Sequence, residues 1–268
     1  MKALSEFPVS DLQSIKVVFT DIDDTLTTDG RLTADAYSAM EALRAHHIKV
    51  VPITGRPAGW CDQIARMWPV DGVVGENGAF YFYYDETAKR MIRHYEDSAS
   101  VREANRKKLK ILGEQIINTV QGCAISADQH YREADLAIDF CEDVPPLTEA
   151  DINTIVDLFE QQGASAKISS IHVNGWFGSY DKLSMTRIFA QNCLSIDLDT
   201  DKSSCVFAGD SPNDVPMFEF FPHSVGVANI KNFIDRLSTK PAYITAGNGG
   251  AGFAELASSL IDARTGDE

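Results

Sequence analysis

The chain has 268 residues, of which 24 are Lys or Arg and 39 are Asp or Glu, so its formal net charge is −15. An acidic surplus of this size repels the phosphate backbone and argues against a nucleic-acid-binding protein. The hydrophobic fraction of 44% is ordinary for a globular protein and excludes a disordered chain.

Strands and helices alternate over the first third of the chain. An apolar run at 15–20 predicts a buried strand, and Thr33 is placed to cap a helix at 34–46. A second buried strand is expected at 48–53, followed by a further helix, and a third strand at 72–74. This alternation predicts βαβ units and therefore a parallel sheet covered by helices.

From residue 79 the pattern changes, which indicates an inserted α+β module. Its predicted elements are a hairpin at 79–84 and 90–95, a helix at 101–119, strands at 123–127 and 134–140, a helix ending at Phe159, and one strand at 166–173. Alternation then resumes, with helices at 182–192 and 214–220 and strands at 204–208, 224–228 and 242–245. The fold class we predict is α/β.

The sequence carries no signal for export or for membrane insertion. No run approaches the ~20 apolar residues of a membrane span, and the first 14 residues lack the apolar segment of a signal peptide. The five cysteines are scattered, which argues against a disulfide framework and against a structural zinc. We expect a cytoplasmic protein without a membrane or nucleic-acid partner.

Reactive side chains follow three of the predicted strands, at the edge where parallel sheets bind ligands. Asp21 and Asp23 follow the first strand, Thr54 follows the second, and the segment from Gly209 to Asp214 follows the strand at 204–208. If these strands are neighbours, four carboxylates meet at one edge. A hard divalent cation such as Mg²⁺ is the economical compensation, because carboxylate oxygens suit it and no His or Cys is involved.

This arrangement supports phosphoryl-transfer chemistry. A carboxylate held at such a site can attack phosphorus, while a second carboxyl group protonates the leaving alcohol and later activates water. Thr54, the backbone amide of Gly55 and a lysine could bind the phosphoryl oxygens.

Four ordered segments resemble the signature motifs of the haloacid dehalogenase-like phosphatases. They are Asp21-Ile22-Asp23-Asp24-Thr25-Leu26, Ile53-Thr54-Gly55-Arg56, Lys182, and Gly209-Asp210-Ser211-Pro212-Asn213-Asp214. The insertion resembles the type IIB cap subgroup, and Gly75-Glu76-Asn77-Gly78 matches a sequence common at its core-to-cap junction. The resemblance implies a Rossmann-like catalytic core at 1–84 and 180–268 and an α+β cap that selects the substrate at 85–179.

The resemblance also implies a role for each motif residue. Asp21 would be the nucleophile, and Asp23 the acid/base that lends its main-chain carbonyl to the metal. Thr54 and Lys182 would hold the phosphoryl group, and Asp210 would bind Mg²⁺ with support from Asn213 and Asp214. The candidate metal ligands are therefore Asp21, Asp23, Asp210 and Asp214, and the candidate substrate-binding residues are Gly55, Arg56, Arg132 and Asn213.

Two departures and several cap residues stay open at this stage. Asp24 stands where the family often has glycine, and Leu183 replaces the usual glycine after Lys182. Arg56 either contacts the leaving group or pairs with a carboxylate, and Trp176 either packs or binds substrate. Further cap candidates lie in His130-Tyr131-Arg132-Glu133 and in Ser169-Ser170-Ile171-His172-Val173-Asn174-Gly175-Trp176.

The sequence therefore predicts a Mg²⁺-dependent phosphomonoesterase that acts on a small phosphorylated metabolite, with a sugar phosphate the first choice. A phosphomannomutase-like phosphosugar mutase is the nearest alternative, since it shares the first half-reaction. A non-catalytic protein that binds phosphorylated metabolites is the third. The sequence leaves the oligomeric state open.

Overall fold

The computed structural model describes residues 1–169 and 171–266. Its strands are β1 Lys2–Ala3, β2 Val17–Thr20, β3 Thr27–Thr28, β4 Arg31–Leu32, β5 Lys49–Pro52, β6 Val73–Gly75, β7 Phe80–Asp85, β8 Arg90–Tyr95, β9 Ala124–Ile125, β10 Asp135–Asp139, β11 Ser165–Ile168, β12 His172–Trp176, β13 Cys205–Gly209, β14 His223–Gly226 and β15 Tyr243–Ile244. Its α-helices are α1 Val9–Ser14, α2 Ala34–Ala45, α3 Ala58–Met67, α4 Ala99–Thr119, α5 Glu149–Gln161, α6 Lys182–Phe189, α7 Leu198–Asp201, α8 Val215–Phe220 and α9 Gly249–Thr265.

Six strands form a parallel sheet in the order β1-β15-β14-β13-β2-β5. Successive residues of β2 serve opposite faces, because Val18 packs into one apolar cluster while Val17 and Phe19 pack into another. Helices α2, α3 and α9 contribute to the first cluster, and α6 and α8 contribute to the second. This double coverage explains the uninterrupted apolar runs and confirms the predicted α/β core.

A second unit is inserted between β8 and α6, and we call it the cap. Its antiparallel sheet has the order β11-β12-β10-β9, and α4 and α5 pack on it around a separate apolar core. The hairpin β7–β8 pairs with β6 instead of with the cap sheet. The predicted boundary between residues 84 and 85 falls inside β7, and the exact division remains a prediction.

The helix starts follow from their capping residues. The Oγ1 of Thr33 accepts a hydrogen bond from the N–H of Ala36 at the start of α2, as the sequence predicts. Thr148 and Asp181 cap α5 and α6 in the same way. The hydrogen bond from the N–H of Ser184 to the side chain of Asp181 fixes the start of α6, and therefore the position of Lys182, its first residue.

One predicted strand is wrong, because 166–173 is two strands. β11 and β12 run antiparallel, with Ile168 opposite Val173, and the Oγ of Ser169 accepts from the N–H of His172 where the chain reverses. The serines at 169 and 170 interrupt the apolar pattern, which is the signal for this turn. Ser170 itself lies outside the described residues. Within the two described ranges, no helix is both long enough and apolar enough to span a membrane.

Candidate active site

Three carboxylates meet at the carboxyl end of the central strands. Asp21 follows β2, and Asp210 and Asp214 follow β13, which pairs directly with β2. Each offers one oxygen, and these oxygens lie within 4.8 Å of one another. All three residues are buried. β2 and β13 are adjacent strands, as the sequence prediction required.

Lys182 is the cation at this cluster. Its buried Nζ lies 2.6 Å from Oδ1 of Asp21 and 2.9 Å from Oδ1 of Asp214. Burial alone would lower the pKa of Lys182, but the two carboxylates outweigh it and raise that pKa, so the side chain stays charged. Asp210 has no contact with this ammonium group among the ion pairs of the described residues.

Burial disfavours the ionised form of Asp21 and of Asp210. Burial is the largest cause that raises the pKa of Asp21 to about 8, Asp214 and Asp23 raise it further, and Lys182 opposes them. Burial also raises the pKa of Asp210 well above its ordinary value, with Asp21 and Asp214 adding repulsion. Three carboxylates facing one ammonium group leave an excess of negative charge. The donor set consists of hard oxygen ligands, so its chemistry fits Mg²⁺.

The loop after β2 is shaped for this position. The N–H of Asp21 donates to the carbonyl oxygen of Ala208, which joins the loop to β13. Asp24 has a φ of 56°, in the left-handed region where glycine is favoured and Asp is among the better-tolerated alternatives. The substitution of Asp for the family's glycine therefore keeps the turn.

Asp23 does not join the three clustered carboxylates through its side chain. Both of its oxygens accept from Arg56, with Nη2 to Oδ1 at 2.8 Å and Nε to Oδ2 at 3.1 Å. Arg56 also lies 3.5 Å from Glu142 and 3.9 Å from Asp128, both in the cap, and its guanidinium stacks over the ring of Trp60 at 4.6 Å. Arg56 therefore pairs with carboxylates and links the core to the cap.

The loop after β5 carries Thr54 and Gly55. Thr54 is completely buried, and its Oγ1 accepts from the N–H of Arg56 at 3.0 Å. A Cβ at Gly55 would lie 3.2 Å from both Nδ2 and Oδ1 of Asn77. The Asn77 amide therefore covers Gly55 and leaves little room for a side chain there.

The loop after β13 is equally tight. The N–H of Asp210 donates to Oδ2 of Asp214 at 3.2 Å, and a Cβ at Gly209 would lie 2.5 Å from that oxygen. The hydroxyl of Ser211 donates to Oδ1 of Asn213 at 2.7 Å. Asn213 faces the cavity described next but lies outside the carboxylate cluster.

A small cavity of about 20 Å³ lies between these loops and the cap. Its volume holds a water molecule or two. Core and cap residues both line it: Asp21, Asp23, Gly55, Arg56, Asn77, Ser211 and Asn213 from the core, and Arg132, Ser169, Ile171, His172 and Asn174 from the cap.

The cap candidates divide into those that face the cavity and those that do not. Arg132 faces it, but its guanidinium already donates to Asp128, to Asp135 and to the carbonyl oxygen of Gly55. His172 faces it and lies 2.9 Å from Glu142. Trp176 is buried against Tyr180 and packs, which resolves its open role.

Two residues that contact the motifs were not singled out from the sequence. Asn229 donates from Nδ2 to Oδ2 of Asp210 at 3.1 Å and to the carbonyl oxygen of Asp24 at 3.0 Å. It follows β14, so the rule that ligands gather at strand ends could have found it. Asn77 was noted only as part of a junction motif.

Known proteins resemble this chain in sequence and in fold. The family model described as haloacid dehalogenase-like hydrolase matches residues 18–161 and 185–256. Phosphoglycolate phosphatase 1 of Saccharolobus solfataricus is 28% identical over 252 residues, which cover 92% of this chain and 96% of that protein.

Two solved structures share the fold across nearly the whole chain. Protein 0175 of Thermoplasma acidophilum superposes with a TM-score of 0.68 at 17% sequence identity. The alignment covers 93% of this chain and 99% of that protein. The sucrose-phosphatase of Synechocystis sp. PCC6803, solved with sucrose and phosphate, has a TM-score of 0.64 at 16% identity and covers 93% and 98%.

Proposed function

The chain belongs to the haloacid dehalogenase-like hydrolases, and from that membership we propose that it is a Mg²⁺-dependent phosphomonoesterase for a small phosphorylated metabolite, in the first place a sugar phosphate. The observation that carries the proposal is the meeting of Asp21, Asp210 and Asp214 with Lys182 beneath the cap. The phosphatase names of its relatives in Saccharolobus and Synechocystis support the reaction class.

In the proposed reaction, an oxygen of Asp21 attacks phosphorus and the bond to the leaving alcohol breaks. Asp23 gives its proton to the leaving oxygen, and an aspartyl-phosphate forms on Asp21. Asp23 then takes a proton from water, the water oxygen attacks phosphorus, and inorganic phosphate leaves with Asp21 restored. Lys182 and Thr54 hold the phosphoryl oxygens.

Asp21, Asp210 and Asp214 would hold Mg²⁺. When bound, the ion supplies positive charge that offsets the negative charge of the phosphoryl group. The same charge opposes the burial that raises the pKa of Asp21, so it favours the ionised carboxylate. Local positive charge is needed, because the net charge of −15 repels an anionic substrate at long range.

Arg56 holds the side chain of Asp23 in place. Both Asp23 oxygens accept hydrogen bonds from its guanidinium. Glu142 and Asp128 offer the guanidinium alternative partners within 3.9 Å. Arg56 can therefore remain paired when Asp23 turns towards the leaving oxygen.

The test is phosphate release from p-nitrophenyl phosphate and from a panel of phosphorylated metabolites, with Asp21→Asn beside wild type. We expect Asp21→Asn to lose at least about 10³-fold in kcat, since removing the nucleophile of a serine protease costs about 10⁶-fold, and we expect EDTA to abolish wild-type turnover. The control is Asp157→Asn, which removes the same charge from an exposed position on α5. Full activity of Asp21→Asn would disprove the proposal, and conversion of a hexose 1-phosphate into its 6-phosphate without phosphate release would identify a mutase.

A further inference from the structure

The Asn77 amide is a buried donor that the described part of the protein leaves without an acceptor. Asn77 is 6% exposed, and its Nδ2 is inaccessible and has no hydrogen-bond partner among the described residues. Buried polar atoms are nearly always paired, and leaving one unpaired lowers stability. Asn77 lines the small cavity that Asp21 and Asp23 also line.

The backbone holds this side chain in place at a conformational cost. Three successive residues have positive φ, with Glu76 at 43°, Asn77 at 55° and Gly78 at 107°. The N–H of Asn77 donates to the carbonyl oxygen of Thr54 at 3.1 Å, which joins the two loops. Strained backbone of this kind persists where the surroundings enforce it, and it is frequent in functional sites.

Glu76 is what enforces it. Its buried carboxylate accepts from the N–H of Ala58 in the core and from the N–H groups of Glu133, Ala134 and Asp135 in the cap, at 2.6 to 3.2 Å. These bonds fix the residue before Asn77 to both units. A strained turn and a buried carboxylate thus hold in place a side-chain amide whose Nδ2 has no acceptor within residues 1–169 and 171–266.

The position of the amide identifies its acceptor. It covers Gly55, the residue between Thr54 and Arg56, at a distance of 3.2 Å from a Cβ placed there. We infer that the Nδ2 of Asn77 donates a hydrogen bond to an oxygen of the phosphoryl group that enters this cavity. This inference rests on the proposed function for the identity of the ligand and adds a phosphoryl-binding residue to it.

The test measures phosphate binding and turnover separately. Asn77→Gly removes the amide and keeps the positive φ, and Asn77→Asp keeps the shape but exchanges the donor for an anion. His47→Gly is the matched control, because His47 is exposed, has a φ of 58° and lies at the end of α2, away from the cavity. Binding of inorganic phosphate and of orthovanadate is measured by calorimetry with saturating Mg²⁺.

Losing one hydrogen bond to a charged group predicts a roughly 10- to 100-fold weaker affinity for both anions in Asn77→Gly, and a larger loss in Asn77→Asp. Without phosphate, the melting temperature of Asn77→Gly should change no more than that of His47→Gly, because the Asn77 Nδ2 has no hydrogen bond to lose among the described residues. A merely structural asparagine would give the opposite pattern, a lower melting temperature with unchanged phosphate affinity.

A measurement on the wild type keeps the inference testable if neither variant folds. The side-chain amide protons of Asn77 should move downfield in the NMR spectrum when phosphate is added, and an unmoved signal at saturation would overturn the inference. If wild type binds phosphate but turns over nothing, the proposed function fails and the inference stands. If wild type turns over and Asn77→Gly binds phosphate normally, the inference fails alone.

Discussion

Replacing Asp210 by Asn should stabilise the metal-free protein while removing its response to Mg²⁺. At an effective dielectric constant of ~20, two carboxylates 4.8 Å apart repel each other by about 3 kcal/mol. Asp210 faces two such partners, Asp21 and Asp214, whereas the ammonium group of Lys182 contacts the partners and not Asp210. Neutralising Asp210 therefore removes repulsion without breaking an ion pair.

Two terms reduce the gain. Partial protonation of the crowded carboxylates already relieves some of the repulsion, since burial raises the pKa of Asp210. In wild type, Nδ2 of Asn229 donates a hydrogen bond to Oδ2 of Asp210 at 3.1 Å. In Asp210→Asn the new amide nitrogen replaces that acceptor oxygen, and losing the hydrogen bond costs about 1 kcal/mol. We expect a net gain of about 1–3 kcal/mol, or roughly 3–10 °C in melting temperature.

The assay is thermal unfolding in EDTA and in a MgCl₂ titration. Wild type should melt higher as Mg²⁺ binds, by RT ln(1 + [L]/Kd), whereas Asp210→Asn should shift little over the same range. Asp157→Asn removes the same charge from an exposed site and should change stability by less than about 0.5 kcal/mol. A variant that melts below wild type in EDTA, or that gains as much from Mg²⁺, would refute the reasoning.

Two further predictions concern the cap. Gly175→Ala would place a Cβ 2.1 Å from the buried ring of Phe159 and should lower the free energy of unfolding by about 3 kcal/mol, measured by denaturant titration. In the control Gly113→Ala, in α4, the new Cβ lies 3.2 Å from its nearest neighbour, and the change should be neutral or stabilising. Equal losses of stability in the two variants would contradict this prediction. Burial raises the pKa of Asp128, but Arg132 outweighs it and the pKa is lowered. The folded protein therefore holds fewer protons on Asp128 than the unfolded chain does, so this contribution is present above about pH 4 and is lost as the pH falls further. Asp128→Asn should lower stability at pH 7 and flatten acid unfolding below pH 4, and an unchanged acid transition would count against the ion pair.

The core could be predicted well because its signals are local. Apolar runs that end in polar motifs identify β2, β5 and β13, and one general rule about parallel sheets places their carboxyl ends together. Asp21 and Asp210 meet across 189 positions of sequence for this reason alone. The final helix α9 was not predicted, although Phe253, Leu256, Ala257 and Leu260 follow a helical spacing. The predicted helix at 182–192 is an α-helix to Phe189 followed by a π-helical turn at Ala190–Leu194.

The α+β character of the cap could be predicted, but its contacts with the core could not, because they depend on which side chains face each other across two units. Nothing local in Glu76 indicates that it binds backbone amides near residue 134. Arg132 was expected at the substrate, but the carboxylates that occupy its guanidinium are visible only in three dimensions. The turn between β11 and β12 was missed because two adjacent serines are a weak turn signal beside β-branched neighbours.

The order of strands in the core sheet also determines when the site can exist during synthesis. The pairing of β2 with β13 joins residues 17–20 to 205–208, and β1 pairs with β15 at the other end of the chain. The sheet and helices of the cap lie within residues 99–176, so all of its strands are synthesised before β13. Contacts between distant residues form slowly, and the cluster of Asp21, Asp210 and Asp214 requires residues from both ends of the chain, whereas the cap sheet requires only its middle.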